Sequence, residues 1–134
     1  MDRHPFRLAV EAKDLEAGLA LLHDDVVFRS PAVHHPYRGH ADVAHLLRHA
    51  AATLEDLTYI DELHGEHSVG LVFTAHTADR EVEGIDHLTL DEAGRITTFR
   101  VMIRPLSALI AVAQTMGARL EADPVPSARE VAGP

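Results

Sequence analysis

The chain contains no cysteine. That absence removes disulfide cross-links, thiolate metal sites and cysteine nucleophiles together, and leaves histidine and carboxylate as the metal-ligating side chains. No uncharged apolar run approaches the length that crosses a bilayer. Positive charge is in short supply: 12 Lys plus Arg stand against 21 Asp plus Glu, a formal net charge of −9. Phosphate backbones and anionic membrane surfaces repel such a chain, so neither nucleic acid nor membrane is an expected partner. The stretch "MDRHPFRLAVEAKDLEAG" has scattered charges and no apolar core of a signal peptide, which makes the cytoplasm the default location.

What is present fits an ordinary folded domain. With 134 residues, 46% hydrophobic and 25% charged, the chain is long enough to bury roughly two-thirds of its unfolded surface around one core. Residues 3–13 and 14–23 read as two short helices, the second N-capped by Asp14 and carrying Leu15, Leu19 and Leu22 on one face. "DVVFRSP" reads as a strand ending at Pro31, followed by the loop "SPAVHHPYRG". From His40 to Leu54 the apolar positions Val43, Leu46, Leu47, Ala50 and Leu54 recur at helical spacing.

Four segments with strand character follow, 56–64, 68–78, 80–91 and 95–104, and the short connections make them an antiparallel meander. Pro105 opens a final helix with Leu106, Leu109, Ile110, Ala113, Met116, Gly117 and Leu120 along one stripe. The expected organisation is a single domain over 1–121 and a disordered, Pro-rich tail over 122–134. The element order describes an α+β fold in which a curved antiparallel sheet wraps the N-terminal helices and is joined by a C-terminal helix, an arrangement that can leave an internal cavity.

Within the meander, "GIDHLTLDEAGRITTF" holds one residue out of place. Asp86 shares strand parity with Leu88 and Leu90, so the face that buries those leucines also receives a carboxylate. A carboxylate there is costly unless it is paired or protonated, and desolvation raises its pKa.

The stretches "DLEAGLALLHDDVVFRSP", "PYRGHADVAHLL", "GIDHLTLDEAGRI" and "TTFRVMI" resemble the NTF2-like superfamily, which includes ketosteroid isomerases, SnoaL-like polyketide cyclases, limonene-epoxide hydrolases and scytalone dehydratases. The resemblance to ketosteroid isomerase places the oxyanion-hole aspartate on Asp86. It places the oxyanion-hole tyrosine on Phe6 and the general base on Ser30, neither of which can do that chemistry. The supporting tyrosines fall on Leu22 and Leu47. Ketosteroid isomerisation by the family mechanism is therefore disfavoured. A limonene-epoxide hydrolase arrangement lacks its arginine partner, whereas a SnoaL-like cyclase, in which one acid handles proton transfer, is compatible with Asp86.

Candidate catalytic residues are Asp86 with His34 or His35 from the neighbouring loop. The resemblance gives a cavity lining of Phe6, Phe28, Ser30, Phe73, Gly84 and Leu88, with Ala75, Val82, Phe99, Val101 and Ile103, and Tyr37 on the adjacent loop. His45 and His49 have the i, i+4 spacing of a zinc pair, but no Glu lies between them and they point away from the apolar stripe, which reads as a solvated helix face. No metal or cofactor is implied. His64 and His67 flank a turn. His76, His87, Arg100, Met102 and Arg104 lie on the outer strand parity, where the superfamily often forms a homodimer, and histidines there would make such an interface pH-sensitive. The leading expectation is a protein that binds a hydrophobic small molecule in its cavity, with Asp86 as acid or base for an isomerase, cyclase or hydratase reaction. The alternatives are a non-catalytic ligand-binding or dimerisation module, and a purely structural protein.

Overall fold

A computed structural model describes residues 2–131. Pro5 at the first helical position starts α1 (Pro5–Glu11), and the His4 ring accepts a hydrogen bond from the Phe6 amide at its N-terminus. The carboxylate of Asp14 caps α2 (Leu15–Leu19) by accepting from the Ala17 amide at 3.2 Å. The second helix is shorter than its leucine spacing predicts. Leu22 already belongs to β1 (Leu22–Arg29), where it pairs with Ile96 and is fully buried.

Tyr37–Arg38 forms β2, a short strand inside the expected loop, and α3 spans His40–Thr53. The meander follows as β3 (Glu55–His64), β4 (Ser68–Thr77), β5 (Arg80–Leu90) and β6 (Ile96–Arg104). Gly94, at a φ of 84°, lets the turn between β5 and β6 close. The six strands form one curved, unclosed sheet in the order β2-β1-β6-β5-β4-β3. Every neighbouring pair is antiparallel except β1 with β6, which is parallel because the chain returns to the sheet centre from the far edge.

Strand alternation sends Leu71, Phe73, Val82, Leu88 and Phe99 to the concave face, all at most 2% exposed, while Met102 on the opposite face of β6 is 48% exposed. The helix α4 (Leu106–Ala122) crosses that concave side against α3 and the strands. The segment 122–131, which the sequence reads as part of a disordered tail, is helical over much of its length. Ala122 ends α4, and α5 (Pro126–Val131) packs on α3, where the Ser127 amide and hydroxyl both donate to the Asp42 carboxylate. Two prolines in this segment fit because one starts the helix and the other precedes it. The remaining tail residues, 132–134, lie outside the described residues.

Candidate functional site

Between the concave sheet face and α1, α3 and α4 lies a cavity of about 470 Å³. Phe6 and Val10 reach it from α1, Phe28 from β1, Ser30 from just beyond that strand, and Leu46, Leu47 and Ala50 from α3. Val101 and Ile103 line it from β6, and Val112, Met116 and Leu120 from α4. Edge-to-face contact of Phe6 with Phe99 at 5.3 Å, and stacking of Phe99 on Phe28 at 5.8 Å, hold this aromatic wall together.

Asp86 lies on the cavity wall and is 7% exposed. Its hydrogen-bond partner is Tyr59, whose hydroxyl donates to Oδ2 at 2.8 Å. Burial pushes the carboxyl pKa up to about 7, and the tyrosine hydrogen bond only partly opposes it. The same burial, with the Asp86 carboxylate alongside, pushes the Tyr59 phenol well above its ordinary range. Tyr59 therefore remains a donor. Near neutrality Asp86 is divided between a carboxylic acid and a carboxylate, the condition in which one group can give or take a proton.

The backbone of Tyr59 is held from outside the cavity. Arg7, 8% exposed, donates to the Tyr59 carbonyl at 3.4 Å and pairs with Glu11 at 3.2 Å and Glu62 at 3.5 Å. Glu62 also accepts from the His4 amide at 3.0 Å and meets the His64 ring at 2.6 Å.

Tyr59 was not among the residues read from the sequence, although its parity with Leu57 on the predicted strand was a usable signal. What places it at Asp86 is register across two ladders. Tyr59 pairs with Phe73 and Phe73 with Gly84, two residues from Asp86 on the same face.

The expected lining divides in two. Phe6, Phe28, Ser30, Tyr37, Phe99, Val101 and Ile103 do line the cavity. Phe73, Gly84 and Leu88 do not, nor do Ala75 and Val82; they are core beneath it. Gly84 shows why: a Cβ there would stand 2.5 Å from Phe73 Cζ and 2.6 Å from the Met102 carbonyl oxygen. Phe73 fills that space.

The histidine partners expected for Asp86 are elsewhere. His34 and His35 are exposed; His34 borders a separate cleft with Arg29 and Arg100, and His35 packs on Tyr37 with ring centroids 5.2 Å apart. Ser30 Oγ accepts from the Ala32 and Val33 amides at 3.0 and 3.2 Å, shaping the turn out of β1.

His45 and His49 are not on a solvated face. Their side chains are 14% and 16% exposed, because the end of α4 folds across them. Both rings meet Asp123: His45 Nε2 lies 2.8 Å from its carbonyl oxygen and His49 Nε2 lies 2.9 Å from Oδ2. The outer-face histidines do not converge on the cavity. The ring of His76 is 3.9 Å from Asp56, and His87 Nδ1 is buried without a hydrogen bond among the described residues.

A single sheet curled over helices, with one buried acid among the described residues of its cavity wall, defines the class of small α+β cones. The chain belongs to the SnoaL-like domain family, whose model matches residues 3–99. It is similar to a steroid delta-isomerase from Pseudomonas aeruginosa, at 39% identity and a TM-score of 0.83, with 87% of each chain covered. It is also similar to a protein with a cystatin-like fold from Silicibacter pomeroyi, at 27% identity and a TM-score of 0.82, covering 90% of this chain and 88% of that one. The epoxide hydrolase/cyclase-like enzyme SalBIII, which has a role in pyran ring formation in salinomycin, shares the fold at 16% identity and a TM-score of 0.63, with 77% and 87% covered. Among curated proteins, none matches the sequence.

Proposed function

We propose that this SnoaL-like protein binds a small, largely hydrophobic molecule in the cavity and that Asp86 exchanges a proton with one polar or acidic position on it. The observation that carries this reading is a nearly neutral-pKa carboxyl on the cavity wall with one tyrosine donor. As a carboxylate, Asp86 takes a proton from a carbon or oxygen acid, and Tyr59 stabilises the charge before the transfer. As an acid, it returns that proton at a second position, so an isomerisation or ring closure balances without net proton change.

With Phe6 and Ser30 supplying no acid or base, the substrate brings its own activating carbonyl. The steroid delta-isomerase activity of the Pseudomonas aeruginosa relative supports an isomerase-type reaction, but Δ5-3-ketosteroid conversion is expected at background here, and restored partly by Phe6→Tyr with Ser30→Asp.

The test is deuterium incorporation into small β-ketoesters and β,γ-unsaturated ketones in D2O, followed by NMR. Asp86→Asn should lower the rate roughly 10²–10⁴-fold, and the wild-type profile should turn near pH 7. Equal rates for the two proteins would rule out catalysis through Asp86. A second reading, a ligand-binding module without turnover, is favoured by the absence of His34, His35 and any other histidine from the cavity wall among the described residues. It expects ligand binding by calorimetry and no exchange. Both readings include a homodimer through the outer sheet face, where Met102 is exposed; light scattering at micromolar concentration checks it, and a monomer contradicts it.

A further inference from the structure

We propose that His45, His49 and Asp123 form a site for a divalent ion of the zinc class, which ties the end of α4 to α3. One ligand atom from each of the three lies within 4.8 Å of the others. The i, i+4 spacing on α3 puts the two rings side by side, centroids 4.9 Å apart, and both Nε2 atoms converge on one carboxylate oxygen. His45 Nε2 is 3.4 Å and His49 Nε2 is 2.9 Å from Asp123 Oδ2. Bonds of about 2.0–2.2 Å at tetrahedral angles place neighbouring ligand atoms about 3.3–3.5 Å apart. Small side-chain rotations therefore convert the hydrogen-bonded cluster into three corners of a tetrahedron, with water as the fourth ligand.

The ligand set suits zinc: two imidazoles and a carboxylate, with no thiolate in the chain.

Two contacts oppose the ion: His45 Nε2 must release its 2.8 Å hydrogen bond to the Asp123 carbonyl oxygen, and Arg119 must move. Arg119 Nε donates to His49 Nδ1 at 3.0 Å, and that nitrogen must carry the proton once Nε2 binds metal. Loading therefore requires Arg119 to leave Nδ1, and its removal should tighten binding. Leu46 and Ala50 of α3 and Gly117 and Leu120 of α4 face the cavity beside these residues, so the ion would cross-link two of its walls. The site does not depend on any proton transfer at Asp86.

The experiment uses the full, untagged chain stripped of metal, titrated with zinc chloride against a chromogenic zinc chelator. One ion per chain with micromolar or tighter affinity is expected. His45→Gln, His49→Gln and Asp123→Asn should each weaken it roughly tenfold or more, and Arg119→Met should strengthen it. Zinc should also raise the wild-type melting temperature and leave that of Asp123→Asn unmoved. The absence of saturable one-to-one binding, or affinity unchanged in both His49→Gln and Asp123→Asn, would overturn the site and assign any bound zinc to exposed histidines. Asp123→Asn, beyond the last turn of α4, keeps the test decisive if a histidine variant fails to fold.

Discussion

Two carboxylates flank Tyr59, one at each end of the residue, and they titrate in opposite directions. Asp86 meets the tyrosine hydroxyl, and Glu62 shares the Arg7 guanidinium with the tyrosine carbonyl. Both are withdrawn from water: Asp86 is 7% exposed and the Glu62 side chain 8%. Burial raises the pKa of Asp86 to about 7. Burial also works to raise that of Glu62, but hydrogen bonds from His64, the His4 amide and Arg7, with the charge of His64, outweigh it and hold the carboxyl below its usual value. Asp86 is the more deeply buried and Glu62 the better partnered, and together these decide which acid keeps its proton. A charged network supports the site from behind, while the acid facing the cavity has a neutral tyrosine as its hydrogen-bond partner among the described residues.

The largest effect should come from breaking the supporting network. Arg7→Met leaves Glu62 and Glu11 without their shared cation and frees the Tyr59 carbonyl, and is expected to cost about 3 kcal/mol in urea unfolding. Next comes the pH dependence of Asp86. The folded chain holds this proton more tightly than the unfolded chain. Its favourable contribution is thus complete below the ordinary Asp value near 3.8, falls as pH rises towards about 7, and is gone above it. Asp86→Asn removes that slope and, by removing a buried charge, should exceed wild type in stability above pH 7 by about 1–3 kcal/mol, measured by unfolding at several pH values.

Tyr59→Phe deletes the one hydrogen bond that lowers the Asp86 pKa. A carbon-13 NMR titration of the carboxyl should move further up, with a stability loss of about 1–2 kcal/mol at neutral pH. The smallest effect is the mirror of the second. Glu62 contributes stability above the ordinary Glu value that is lost as pH falls through its depressed pKa, so Glu62→Gln should flatten the acid side of the stability curve. If Asp86→Asn and Glu62→Gln change the same limb of that curve, the contrast between the two acids is wrong.

Strand parity alone placed Asp86 on the buried face, because alternation along β5 is local and unbroken from Val82 to Leu88. The meander was legible for the same reason, its short turns leaving few ways to connect the strands. Parity could not distinguish cavity wall from core: Phe73 and Phe99 share the inward face, yet Phe73 turns into the space above Gly84 and Phe99 faces the cavity. The solvated reading of His45 and His49 failed because helix periodicity describes one apolar stripe and knows nothing of a second element laid over the other side. Its prolines and scarcity of large apolar residues make the tail read as disordered, yet Val125 packs against the core. Asp42 and Ser127, 85 positions apart, supply the polar contact that composition does not reveal.

The sequence by itself determined the curved α+β sheet, the order of its longer elements and the burial of one acid, since these follow from periodicity, turn residues and alternation within short segments. Only the tertiary structure decided what faces that acid. Tyr59 reaches Asp86 across two ladders, His34 and His35 are carried away by their loop, and His45 and His49 are gathered around Asp123. Each of these depends on register and packing between residues far apart in the chain, where a shift of one position turns a side chain to the other face.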